Sequence, residues 1–123
     1  MFSKNKKPGT QRLRVGDIYF WGEQKGPVED EFKAKLSAMK LFRSEVKEAY
    51  LMRVRYPGAT TENVALCLIS ETGRDVELVA KVGEVFKSMF NSNESLDTIF
   101  LEHQYWKPVR SVAAPFFTRS DAT

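Results

Sequence analysis

Among the residues able to do covalent chemistry, three invite a shared role: Cys67 as nucleophile, His103 as its base and Asp97 as the group orienting the imidazole. A thiolate nucleophile needs an electropositive niche open to substrate. Cys67 stands instead in the middle of the apolar run Val64 to Ser70, where a free cysteine behaves as a small core residue. The spacing of the three matches no known nucleophile motif. Carboxylates do no better as acid/base pairs. Glu29, Asp30 and Glu31, and again Asp75 and Glu77, fall in the first turn of an expected helix, where they complement the positive end of its dipole. One cysteine and one histidine do not suffice for a dedicated zinc site, and no Gly-x-Gly-x-x-Gly or P-loop pattern offers a phosphate cradle. The residues therefore predict a non-enzymatic protein with no cofactor.

Recognition chemistry remains. If Ile18 and Phe20 pack beneath the helices, alternation sends Tyr19 and Trp21 to the opposite face of the sheet. Arg53 and Arg55 join them if Tyr50, Met52 and Val54 point inward. Aromatic rings beside arginines can stack bases and pair phosphates, but the RNP1 pattern is absent, which argues against nucleic acid. The same residue types concentrate binding energy at protein interfaces. Tyr105, Trp106, Val109, Val112, Phe116 and Phe117 then have two readings: they fold back over this surface and complete the core, or they dock a partner. Tyr19, Trp21, Arg53, Arg55, Tyr105 and Trp106 are accordingly the candidate partner-binding residues.

These side chains need a scaffold. Val15 to Trp21 reads as a first strand, and Gly26-Pro27 breaks the chain. Val28, Phe32, Leu36 and Met39 recur at helical spacing, which predicts a helix ending near Arg43. Tyr50, Met52, Val54 and Tyr56 alternate with Leu51, Arg53 and Arg55 in a second strand, closed by Pro57-Gly58. Val64 to Ser70 makes the third strand, by a hairpin. Val76, Val79, Gly83, Phe86 and Phe90 mark a second helix, Leu96 to Leu101 a fourth strand, and Gln104 to Ala113 a short helix. The order β-α-β-β-α-β is that of a ferredoxin-like α+β fold: a four-stranded antiparallel sheet with two helices on one face and a C-terminal appendage.

The 123 residues suit one domain, and 42% hydrophobic with 28% charged residues is the balance of a soluble globule. Lys4, Lys6, Lys7, Arg12 and Arg14 make residues 1–14 a flexible basic arm, ahead of a domain over 15–118 and a disordered tail over 119–123. The net charge of +3 is concentrated in that arm, so a global basic field is missing. No run approaches the roughly 20 apolar residues that cross a bilayer, and no apolar segment follows the N-terminal lysines, which predicts a cytoplasmic location.

Four stretches carry a family resemblance: Glu48 to Gly58 (EAYLMRVRYPG), Asn63 to Leu68 (NVALCL), Val79 to Phe86 (VAKVGEVF) and the closing Ala114-Pro115-Phe116-Phe117. Over about Val15 to Phe117 the chain resembles the C-terminal domain of the SseB family, bacterial proteins named for enhanced serine sensitivity. The resemblance implies a cytoplasmic bacterial protein without enzymatic activity and brings no transferable active site; the family usually carries a separate domain ahead of this one, and with a basic arm in that place the chain reads as a stand-alone domain. Together with the surface residues it predicts a protein-binding or regulatory module acting by surface complementarity. An immunity protein or antitoxin is one form of this, and a homodimer another arrangement. Small-molecule sensing at a dimer interface and an RNA-binding sheet are the alternatives.

Overall fold

The computed structural model describes residues 13–15, 18–58, 60, 63–70, 75–90 and 96–119. The basic arm expected over 1–14 lies outside them apart from Leu13 and Arg14, and so does the tail expected over 119–123 apart from Arg119. Strands β1 (Leu13–Val15) and β2 (Ile18–Glu23) pair antiparallel, and helices α1 (Pro27–Ala38) and α2 (Lys40–Glu45) lead into β3 (Glu48–Arg55). β4 (Asn63–Ile69), α3 (Val76–Met89) and β5 (Asp97–Phe100) follow. A 3₁₀ turn (His103–Tyr105), α4 (Trp106–Val112) and β6 (Phe117–Thr118) complete the order.

Local chemistry accounts for the helices. Pro27 opens α1, where its missing N–H costs nothing. Behind it Gly26 sits at φ 157°, and a side chain there would run into the carboxylate of Glu29, which is buried and accepts from Gln24 Nε2 at 3.0 Å. Asp75 caps α3, its carboxylate accepting from the Leu78 N–H at 3.1 Å. Leu78, Val82 and Phe86, one helical turn apart, form the buried stripe of α3. The single helix expected up to Arg43 is two: Met39 takes extended angles (φ −71°, ψ 131°), ending α1 and starting α2.

The α+β class stands, and the ferredoxin-like four-stranded antiparallel arrangement is corrected. The sheet is mixed and six-stranded, in the order β1-β2-β3-β4-β5, with β6 also on β3. β4 and β5 run parallel. In a split βαβ unit another strand separates the two that a helix joins. Here the helix-joined strands are direct neighbours: β2 pairs β3 and β4 pairs β5. Periodicity fixes which residues share a face, and it carries no information about which strand lies alongside.

β3 is the central strand. One edge is filled by β4, and the other is shared end to end. β2 takes its C-terminal half (Tyr19 opposite Arg55, Phe20 opposite Val54) and β6 its N-terminal half (Thr118 opposite Glu48, Phe117 opposite Ala49). At the junction, Gln24 N–H donates to Leu51 O at 2.8 Å and Phe116 N–H to Ala49 O at 2.9 Å, so the edge is used without a gap.

Both faces of the centre are buried. Ala49, Leu51, Val64, Leu66 and Leu68 pack with Phe32 and Leu36 of α1, Phe42 of α2 and Leu78, Val82 and Phe86 of α3. Phe32 meets Phe86 and Phe90 edge-on at 5.8 and 5.7 Å. Tyr50, Met52, Val54, Ala65, Cys67 and Ile69 form a second core with Phe20, Leu101 and Val109, closed by Trp106 and Val112 of α4. Each fully buried large apolar side chain contributes about 1.5–3 kcal/mol, so the thinner α4 layer is a substantive half of the fold.

Candidate protein-binding surface

The second core dictates where the candidate residues go. Phe20, Tyr50, Met52 and Val54 face α4, opposite to α1, α2 and α3. Tyr19, Arg53 and Arg55 do share one face, Tyr19 directly opposite Arg55, but it is the face of Ala49 and Leu51, the side of those three helices. The expected orientation is thereby reversed. In β3 both alternating sets are apolar as far as Met52, so alternation alone does not reveal which set lies under the main helical layer. The Arg53 guanidinium lies over Gly22: a β-carbon there would come within 3.6 Å of its Nη2. Its Nε is buried without a hydrogen-bond partner among the described residues. Trp21 falls at the register slip between Phe20 and Gly22, and its side chain is outside the described residues.

Tyr105 and Trp106 sit on the other side of the sheet, so the six candidates do not form one patch. The half-buried Trp106 ring is held from several directions. Its indole N–H donates to Leu101 O at 3.0 Å, and the His103 ring is 4.5 Å away, centroid to centroid. Lys47 Nζ and Arg110 Cζ stand 5.7 and 6.0 Å from its centre, within cation–π range. Around it His103, Gln104, Lys107 and Arg110 are exposed.

Beneath lies a polar cluster for which the sequence offers no signal, since Glu48 reads as an ordinary strand-end residue. Arg110 Nε donates to both Glu48 oxygens at 2.9 and 3.1 Å, and the Tyr50 hydroxyl donates to Oε1 at 2.5 Å. Burial pushes the Glu48 carboxyl up, but the bonds from Arg110 and Tyr50 outweigh it and hold the group below its ordinary value. Burial and the Glu48 carboxylate push the Tyr50 phenol well above its ordinary range, so it stays a neutral donor. The cluster orients α4 and carries no reactive group.

The Cys67, His103 and Asp97 trio does not assemble. Cys67 is completely buried in the second core, and that burial raises its thiol far above the usual range. Asp97 accepts from the Tyr56 hydroxyl at 2.5 Å, while His103 lies exposed against Trp106. No three His, Cys, Asp or Glu side chains gather as a metal-ligand set among the described residues. No helix of these residues is long and apolar enough to cross a membrane.

A distinct concavity of about 560 Å³ opens between α2 and β6, lined by Ala38, Lys40, Arg43, Ser44, Phe117, Thr118 and Arg119.

No curated protein and no solved structure matches the chain. The family described as SseB protein C-terminal domain matches residues 24–119, from the end of β2 to the residue after β6. That span takes in α1, the first core, all of the second core but Phe20, α4 and the strand that completes the β3 edge, and on this match the chain belongs to the SseB C-terminal domain family.

Proposed function

We propose that this domain is a non-enzymatic module that binds another protein, through the surface around Trp106. The observation that carries the reading is the presentation of that ring: half-buried, fixed by its bond to Leu101 and flanked by Lys47 and Arg110 within 6.0 Å. A rigid aromatic anchor ringed by polar and cationic side chains is the composition of an interface hot spot, and a pre-ordered ring loses little entropy on docking. Recognition is then by complementary shape, as an immunity protein or antitoxin occludes a toxin. The sheet-platform use of Tyr19, Arg53 and Arg55 for RNA has less support, because β3 and β4 bury residues on both faces.

The test is capture from native lysate with the tagged protein, nuclease-treated and untreated, beside two charge-reversal variants. Lys107→Glu changes an exposed residue of α4, and Lys81→Glu an exposed residue of α3. A stoichiometric, nuclease-resistant protein lost with Lys107→Glu and kept with Lys81→Glu is the expected result. Capture indifferent to Lys107→Glu, or recovery of the bare protein alone, overturns the reading.

A further inference from the structure

Arg53 sits where an apolar side chain would be the ordinary choice. Leu51, two residues before it on the same face of β3, and Val64, directly opposite it on β4, both belong to the first core. Arg53 is half-buried among them, with its guanidinium over Gly22. Its Nε is sealed from solvent without a hydrogen-bond partner, and the side chain makes no ion pair among the described residues. A guanidinium cannot relieve that by giving up its proton, since arginine stays charged at any physiological pH. Nor does a neighbouring side chain cover it from β2. Gly22 holds φ 141° at the register slip after Phe20, a conformation closed to most side chains, so the backbone there is bare. Tyr19 and Arg55, opposite each other in register, stand beside this notch on the same face.

We infer that Arg53 is a docking point for a carboxylate, the side chain of an aspartate or glutamate presented by a partner protein. Charge and shape select it. The donors of a guanidinium form a planar fork that the two oxygens of one carboxylate match, and such a bond is stronger than one between neutral groups. Space selects the rest: a notch over one glycine, on strands buried on both faces, admits the tip of a side chain and leaves no platform for stacked bases. A charge without an internal partner costs stability, and a binding role is what that cost supports. The notch lies across the sheet from Trp106, so it holds or fails independently of that surface.

The experiment is a ¹H–¹⁵N titration of the full chain with an end-capped tetraglutamate peptide, and separately with a uridine tetranucleotide. The peptide should shift the amides of Gly22, Arg53 and Val64 saturably, with a dissociation constant on the order of 1 mM or tighter. Affinity should fall at least about tenfold in Arg53→Met, which keeps the length of the stem and removes the charge, and should be unchanged in Lys81→Glu on exposed α3. Arg53→Lys, which keeps the charge without the fork, should bind several-fold more weakly than wild type. The melting temperature of Arg53→Met should equal or exceed that of the wild type, because the charge has no internal partner to lose. Absence of saturable shifts at these amides, or shifts that survive Arg53→Met, overturns the site. A melting temperature lowered by more than about 4 °C in that variant makes Arg53 structural and overturns the docking role. Unweakened binding by Arg53→Lys overturns the fork, and equal binding of the tetranucleotide overturns the carboxylate assignment.

Discussion

Arg110 of α4 closes on Glu48 of β3 with its Nε within 3.1 Å of both carboxylate oxygens, across 62 residues of sequence. The pair matters because Val109 is the only fully buried residue of α4, so the bridge adds to the Trp106 bond to Leu101 and the packing of Val112 in orienting the helix. The arginine side chain is 40% exposed and the glutamate side chain 12%, which makes this a partly screened bridge. Arg110→Ala should destabilise the fold by about 1 kcal/mol, and a double-mutant cycle with Glu48→Gln should return a coupling of roughly 0.5–1 kcal/mol. Urea denaturation of the four proteins checks it; additivity of the two changes would show that the pair does not hold α4.

Acid should release the same contact. Because the folded-state value of Glu48 is depressed, its contribution is fully present above the ordinary value of 4.5 and is lost as pH falls through the lower folded value. The melting-temperature gap between the wild type and Glu48→Gln should therefore be constant near neutrality and close below that value. A gap that widens with acid would reverse the sign of the assignment.

Cys67 should be silent toward thiol reagents in the native protein. It is completely buried and its thiol is held protonated by that burial, so reaction requires opening of the second core. Labelling with a chromogenic disulfide at pH 8 should be slow in buffer and rapid in denaturant. Fast native labelling would mean that the α4 layer opens readily.

Phe42 joins α2 to the C-terminal strand, stacking near Phe116 at 6.3 Å and meeting Phe117 edge-on at 5.2 Å. Phe42→Ala should cost about 3–5 kcal/mol and should raise amide exchange at Phe116 and Arg119, whose N–H groups bond to Ala49 and Lys47. Protection unchanged at those two amides would show that β6 is anchored by its backbone alone.

Much of the local structure was legible because it rests on short-range chemistry. Pro27 and the first-turn acids mark α1, and the β3–β4 hairpin follows from two apolar runs around Pro57-Gly58; the spacing of Val76, Val79, Gly83, Phe86 and Phe90 marks α3 as a helix but misplaces its stripe, since Val76 is exposed and the buried residues are Leu78, Val82 and Phe86. The family was legible from the same segments. The break at Met39 was not, since no proline or glycine marks it and the apolar spacing runs through it. The direction faced by Tyr19, Arg53 and Arg55 depended on which helices cover which side, and β3 is buried on both. The Glu48, Tyr50 and Arg110 cluster and the Lys40, Arg43 and Arg119 cleft join residues distant in the chain, which no periodicity reports.

The divided edge of β3 also sets an order on how the chain matures. As the polypeptide emerges, β2 and β4 are at hand to clasp the central strand early, whereas Phe117 follows Ala49 by 68 residues. Until then the carbonyls of Lys47 and Ala49, which later receive Arg119 and Phe116, face outward as an incomplete seam. Unfilled backbone of this kind is what invites strand exchange between nascent chains. β6, only two residues long, thus acts as the latch that completes the open half of the β3 edge.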